Sequence, residues 1–254
     1  MSTPFGQNFL IDKNITRKIV KSADINPSDT IVEIGPGKGI LTEEIAKSAR
    51  KIIAIEIDNL LFENLTEKFK SNQNIKIIKK DFLKWTPPKI KKMKFIANLP
   101  YYVSTSIIEK VLHLDNWDTA IFMVQKEVAN RIRADVCSED YSSLSILCKV
   151  YCKIKKLFDV TNKCFFPVPK VTSTVIGFNR LIKPLVEKKN EKIFFKVVRA
   201  SFRHRRKTIL NSLFIELDIK KDILREKLLL SGINPCYRAE NISIDEFIKL
   251  SNVI

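Results

Sequence analysis

The sequence predicts an α/β protein: a Rossmann-like domain with a mostly parallel sheet and helices on both faces, then a small all-helical C-terminal domain. Three observations predict it. Short β-branched runs alternate with helical patterns from Thr30 to about Arg180, a glycine-rich turn follows the first run, and strand patterning stops after Lys183-Pro184. The runs Thr30–Ile34, Lys51–Ile57, Asn74–Lys80, Met93–Ala97 and Ala120–Val124 are the predicted strands. Val171–Phe178 follows as a late alternating strand behind a proline-punctuated loop. Between them, Ile40–Ala46 reads as the helix opened by the glycine turn. A second helix starts at Ser104–Ser106, with Ser106-x-x-Glu109 as its capping box and Ile107, Ile108, Val111 and Leu112 as its core face. Cys148 and Cys152, four apart, read as one face of a further helix. Lys89–Lys94 reads as a solvated loop. Residues 191–254 carry only helical periodicity, broken by Gly232-Ile-Asn-Pro235. The expected division is therefore residues 1–183 and 184–254, joined by a charged linker.

Composition narrows the function classes. Lys and Arg number 45 against 28 Asp and Glu, a net charge of +17, which favours a polyanionic partner through phosphate neutralisation. Apolar content of 45 % is that of a folded globular chain, and no apolar run reaches the ~18–20 residues of a membrane span. The N-terminal Met-Ser-Thr-Pro-Phe-Gly-Gln has neither the basic nor the apolar region of a secretory signal, so a cytoplasmic protein is expected. Five cysteines without Cys-x-x-Cys spacing and two isolated histidines, His113 and His204, argue for free thiols and no metal.

The chemistry collects at predicted strand ends, where open α/β sheets bind ligands. Glu33-Ile-Gly35-Pro-Gly37-Lys-Gly39 follows the first strand and lets a ligand approach the backbone. Glu56 ends the second strand, where a carboxylate can accept from both hydroxyls of a ribose. Asp81 closes the third, where it can accept from an adenine amine, and Asn98 closes the fourth. A glycine turn and three polar strand ends describe a nucleoside pocket. The spacing Gly-x-Gly-x-Gly lacks the longer fingerprint that seats a pyrophosphate, so a phosphate-free donor such as S-adenosylmethionine fits better than a dinucleotide.

Asn98-Leu-Pro-Tyr101 then supplies an acceptor half. The Asn98 side-chain oxygen and the Leu99 carbonyl can hold the amine of a nucleobase, Pro100 fixes the backbone between them, and Tyr101 can stack on the ring. Phe165, on the stiff loop Cys-Phe-Phe-Pro-Val-Pro-Lys170, is the candidate to close on the base from the other side, with Phe166 as the alternative ring. Arg203, Arg205, Arg206 and Lys207 form a basic cluster entering the helical domain. Arg131 and Lys170 are candidates to extend it toward RNA phosphates.

With these residues in hand, the chain resembles the small-subunit (16S-type) ribosomal RNA adenine N6,N6-dimethyltransferases, the KsgA-type family. The resemblance runs through Phe5-Gly-Gln-Asn-Phe-Leu10, Glu33–Gly39, Asn98–Tyr101, Gln125-Lys-Glu-Val128, Phe165-x-Pro-x-Pro-Lys-Val171, Arg205-Arg-Lys-Thr208 and Arg238-Ala-Glu-Asn-Ile242. It implies an S-adenosylmethionine-dependent methyltransferase domain followed by an RNA-recognition domain. It also implies that Asn8, Leu10, Gly35, Glu56, Asp81 and Asn98 line the donor site. The implied substrate is a pair of adjacent adenosines near the 3′ end of the small-subunit RNA in an assembling 30S particle, each methylated twice, by a monomer without a metal. The family usually carries a basic lead-in before Phe-Gly-Gln, where this chain has Met-Ser-Thr-Pro. Two rivals stand beside this reading. One is the macrolide-resistance group acting on large-subunit RNA, which tends to read Asn-Ile-Pro-Tyr. The other is a non-catalytic RNA-binding assembly or transcription factor on the same fold.

Overall fold

The computed structural model describes residues 8–90 and 92–254. Expectations that rest on residues 1–7 (the N-terminal leader and Phe5-Gly-Gln) and on Lys91 lie outside the described residues. In chain order the elements are β1 (Phe9–Leu10), α1 (Lys13–Ser22), β2 (Thr30–Ile34), α2 (Ile40–Ala46), β3 (Lys51–Glu56), α3 (Asn59–Lys68), β4 (Ile75–Lys79), β5 (Met93–Asn98), α4 (Ser104–Leu112) and β6 (Trp117–Gln125). They continue with α5 (Lys126–Arg133), α6 (Ser143–Tyr151), β7 (Cys152–Val160), β8 (Phe165–Phe166), β9 (Ser173–Arg180), α7 (Glu191–Phe202), α8 (Ile209–Glu216), α9 (Lys221–Leu230) and α10 (Ile244–Val253).

Seven strands form one sheet in the order β4-β3-β2-β5-β6-β9-β7. β4, β3, β2, β5 and β6 run parallel, and β9 returns antiparallel to β6. Helical crossovers cover both faces, so the central strands must be apolar on each side. They are: Ile31, Val32, Ile52, Ala54, Phe95, Ile96, Ala120 and Val124 are all fully buried. Burying a side chain the size of Phe95 contributes roughly 1.5–3 kcal/mol, and this layer fixes where every strand ends. The Rossmann-like fold class is thus borne out. Each predicted strand is present, with ends moved by three residues at most. β7 is the strand the sequence hides. Cys152-Lys-Ile-Lys-Lys-Leu-Phe-Asp-Val160 lies at the sheet edge, where lysines discourage further pairing and mask the alternation.

Three local expectations are corrected. α4 begins at Ser104 behind Val103, which gives no side-chain cap, so Ser106-x-x-Glu109 lies inside the helix and is no capping box; the Ser104 hydroxyl instead donates to the Tyr101 carbonyl (3.2 Å). The core face Ile107, Ile108, Val111 and Leu112 is buried as expected. Lys94 is not in a solvated loop: it lies in β5, its ammonium 2.8 Å from Asp29 and donating to the Ala23 and Asp24 carbonyls, partners that make burial of the charge tolerable. Cys148 and Cys152 are both buried, but Cys152 opens β7 rather than completing a helix face.

Two compact units emerge, Met1–Ala129 with Lys153–Leu181, and Asn130–Cys152 with Ile182–Ile254. The helical unit therefore takes in α6, which the expected boundary at residue 183 left with the sheet. The reason is packing: Leu185 N–H donates to the Val150 carbonyl (3.0 Å), and the Tyr151 and Phe195 rings stack at 6.0 Å. No helix among the described residues is long and apolar enough to cross a membrane.

Candidate active site

The carboxyl ends of β2, β3 and β5, the segment after β4 and the ribbon strand β1 enclose a cavity of about 390 Å³, the size expected of a small-molecule site. Its lining includes Asn8, Leu10, Gly35, Glu56, Asp81, Asn98, Leu99, Pro100 and Tyr101. Nine of the ten residues expected at the donor and acceptor sites are therefore brought together. The exception is Phe165.

The turn between β2 and α2 carries three left-handed glycines, Gly35, Gly37 and Gly39 (φ +64°, +58° and +76°). At Gly37 a Cβ would stand 3.0 Å from the Phe9 ring, and at Gly39 one would stand 2.8 Å from Leu65 and Phe69 side-chain carbons. The turn can thus be no bulkier where it faces the cavity and where it enters α2.

Glu56, the last residue of β3, is buried and held by three backbone donors. Its Oε1 accepts from the N–H groups of Ile57 and Asp58 (both 2.9 Å), and its Oε2 accepts from Gly37 N–H (3.2 Å). Burial pushes this carboxyl up from its ordinary range while those N–H groups oppose the rise. After β4, Asp81 opens a single 3₁₀ turn, Phe82–Lys84, and its Oδ1 accepts from Leu83 N–H (2.8 Å). Oδ2 is the oxygen left for a ligand.

The side chain of Asn98 is oriented by a neighbour from the N-terminal ribbon: Nδ2 donates to the Asn8 carbonyl (3.2 Å). With the amine end committed, Oδ1 is the end left to accept. Leu99 is buried and its N–H donates to the Met123 carbonyl (3.0 Å), which carries the β5–β6 ladder one step beyond Asn98. The half-buried Tyr101 has its hydroxyl 3.1 Å from Ser173 Oγ at the start of β9. Burial raises the phenol further from neutrality, so it stays protonated.

Phe165 requires a correction. β8 pairs with β1, Phe165 opposite Leu10 and Phe166 opposite Phe9. The Phe165 ring is 1 % exposed, within the core that holds Leu10, Ile96 and Val160, and does not line the cavity. Its ring closes the core under the ribbon because the pairing turns it to the Leu10 side. Phe166 is 61 % exposed on the Phe9 side.

Sequence reading missed Glu33, Phe9, Lys38, Ile57, Phe82, Leu83 and Tyr102, which also line the cavity. Several had a signal: Ile57, Leu83 and Tyr102 are apolar or aromatic residues one, two and four places past the strand-end polar groups Glu56, Asp81 and Asn98, and all three are exposed. Glu33 is buried in β2, with Oε2 unpartnered among the described residues. Burial pushes its carboxyl up to about 8; the Thr42 hydroxyl pulls the other way, and the charge of Glu56 adds to the rise.

The basic residues fall in two places. Lys170 is exposed in the sheet unit. In the helical unit Arg203, Arg205, Arg206 and Lys207 are exposed in the segment between α7 and α8, and Arg131 is half-buried in α5. Arg203 lies 3.4 Å from Glu216, and Arg205 donates to the Glu139 carbonyl (2.7 Å). Arg205 and Arg206 share a shallow depression with Arg238, Cys137 and Asn241, so Arg238 joins the cluster through the fold. Among the described residues no group of His, Cys, Asp and Glu is placed to hold a metal.

The profile of the ribosomal RNA adenine dimethylase family matches residues 1–254. The chain belongs to that family. It is 43 % identical over 254 residues to the ribosomal RNA small subunit methyltransferase A of Clostridium botulinum (strain Loch Maree / Type A3), covering 98 % of this chain and 92 % of the relative. Among solved structures it is similar to a dimethyladenosine transferase from Plasmodium falciparum (TM-score 0.80, 27 % identity, 95 % of each chain). It is also similar to the 23S rRNA methyltransferase ErmE (TM-score 0.73, 26 % identity, 97 % of this chain and 99 % of that one). Membership of this family makes the chain an rRNA adenine dimethyltransferase, and the strand-end carboxylates and the Asn98 turn line one cavity in it.

Proposed function

We propose that this chain transfers methyl groups from S-adenosylmethionine to N6 of two adjacent adenosines near the 3′ end of small-subunit ribosomal RNA. The substrate is the assembling 30S particle, and the enzyme works as a cytoplasmic monomer. The observation that carries the chemistry is the Asn98 amide, whose nitrogen end is tied to Asn8 so that its oxygen is left as an acceptor at the cavity. The identity to a small-subunit methyltransferase over nearly the whole chain supports this RNA over the large-subunit alternative.

The residues fit the donor. Glu56 offers its remaining lone pairs to a ribose diol, Asp81 Oδ2 to an adenine amine, and Ile57, Phe82 and Leu83 supply apolar wall beside them. At Gly35 nothing stands within 4 Å of where a side chain would begin, which leaves space for the donor beside the turn. When bound, S-adenosylmethionine supplies an electrophilic methyl group on a sulfonium. Asn98 Oδ1 and the Leu99 carbonyl accept from the N6 hydrogens of the target adenine, which fixes the nitrogen and favours its pyramidal, nucleophilic form. Such positioning and preorganised hydrogen bonding each supply several kcal/mol (order of magnitude). Tyr101, its ring held by the Ser173 contact, stacks on the base. No strong base is required, because N6 loses its proton to solvent once it carries the new methyl group.

The test offers purified small- and large-subunit precursors with isotopically labelled S-adenosylmethionine. Label is expected as dimethyladenosine in small-subunit RNA. Label confined to large-subunit RNA, or absent from both, overturns the proposal. For the RNA contact, replacing Arg205 and Arg206 together by alanine is expected to weaken binding to the small-subunit precursor. It should also reduce the salt dependence, log Kd against log [salt], by about two phosphate contacts. Donor affinity should be unchanged. An unaltered salt slope would remove these arginines from the RNA interface.

A further inference from the structure

Lys110 lies on the last turn of α4, the helix that starts three residues after Tyr101, yet its ammonium is spent on the donor side of the site. It donates to three backbone carbonyls, those of Phe82 (2.7 Å), Leu83 (2.8 Å) and Trp85 (2.5 Å), and lies 5.2 Å from the centre of the Phe82 ring. The first two carbonyls belong to the 3₁₀ turn that Asp81 opens, and the third to Trp85, the residue that caps it. Asp81 satisfies the N–H end of that turn through Leu83 and Lys110 satisfies its carbonyl end. A one-turn helix has almost no internal hydrogen bonding to hold it, so two charged groups at its ends decide its shape. Burial pulls the Lys110 pKa down, and the Asp81 carboxylate opposes that fall.

We propose that Lys110 is a positioning residue for the donor. Through its bonds to the Phe82, Leu83 and Trp85 carbonyls it fixes the turn after β4, so that Asp81 Oδ2 meets the 6-amino group of the donor's adenine. The proposal rests on the donor reading given above and adds to it a connection: the helix leading out of the acceptor motif holds the turn that selects the donor's base. Three carbonyls converging on one side-chain nitrogen leave the turn no other cationic donor among the bonds of the described residues.

The test uses the full chain and two probes, S-adenosylhomocysteine and S-inosylhomocysteine, which differ in the base only at purine position 6 and the adjoining N1 proton. Lys110→Met keeps the aliphatic stem over Phe82 and removes the ammonium. Its affinity for S-adenosylhomocysteine is expected to fall about tenfold, the scale of lost hydrogen bonds to a charged group. Its affinity for S-inosylhomocysteine should stay within about twofold of the parent, since that base offers Asp81 no amine. The KM for the methyl donor should rise by the same factor as the first loss, with kcat nearly unchanged. Lys110→Arg, which restores a cationic donor, should recover most of the loss. Equal losses for both probes, or none for either, overturn the proposal, since a general loosening of the fold would not distinguish the bases. If Lys110→Met does not fold, Lys110→Gln is read by the same pair of titrations. Failure of the parent chain to bind S-adenosylhomocysteine at all would sink the donor reading itself, and the proposal with it.

Discussion

Asn98→Ala is expected to lower the rate of methyl transfer by about 10²- to 10³-fold, the loss seen when one preorganised hydrogen-bonding group is taken from a reacting centre. Donor affinity should be weakened but measurable, because Glu56, Asp81 and the glycine turn remain. Two effects combine. The N6 hydrogens lose their side-chain acceptor, and the Asn8 carbonyl loses the donor that ties the ribbon to the end of β5. Asn98→Asp separates them. It keeps an acceptor oxygen but sets a second oxygen against the Asn8 carbonyl, so the ribbon contact becomes repulsive. The measurement is single-turnover transfer from labelled S-adenosylmethionine, with donor affinity by calorimetry. Unchanged turnover in Asn98→Ala would refute the role given to this side chain.

The second large effect concerns Glu33 and pH. Its carboxyl titrates at about 8 in the folded protein against 4.5 ordinarily. Between those values the folded chain keeps a proton that the unfolded chain releases, so this group's contribution to stability is full below about pH 4.5. It declines as pH rises and is gone above about pH 8. A shift of this size corresponds to an upper bound of about 5 kcal/mol, and a few kcal/mol is the realistic scale after local relaxation. Glu33→Gln cannot ionise and should escape the decline. Thermal unfolding of the ligand-free protein should therefore show the variant gaining on the parent steadily from pH 5 to pH 8, with the gap constant above about pH 8.5. A gap that does not change with pH would mean that Glu33 is not the group responsible.

The sheet was legible because its physics is local and repetitive. The central strands β2, β3, β5 and β6 are apolar on both faces, and polar residues stand at or just after the ends of β3, β4 and β5, so Glu56, Asp81 and Asn98 could be read as a set. The orientation of Asn98 could not, because it depends on Asn8, ninety positions away. Phe165 and Phe166 are adjacent and chemically equal in the sequence. Only the pairing of β8 with β1 decides that Phe165 is core and Phe166 exposed. Lys94 read as solvated because a lysine beside lysines looks like surface. Its partners Asp29, Ala23 and Asp24 come from a distant turn. Lys110 carried no motif signal and Glu33 only headed the glycine-turn motif; what makes them notable is an unpartnered oxygen on Glu33 and three carbonyls converging on Lys110.

The helical unit is assembled from two stretches of chain, Asn130–Cys152 and Ile182–Ile254, with β7, β8 and β9 threaded between them. No single cut can separate it from the sheet. A fragment ending near residue 183 would keep α6 but lose α7, laying bare the side of Leu144, Ile146, Leu147, Val150 and Tyr151 that is now shielded. Such a fragment should aggregate rather than serve as a minimal enzyme. Any attempt to exchange the helical unit for that of a relative must graft both stretches together, at two junctions flanking α6 and at a third after β9.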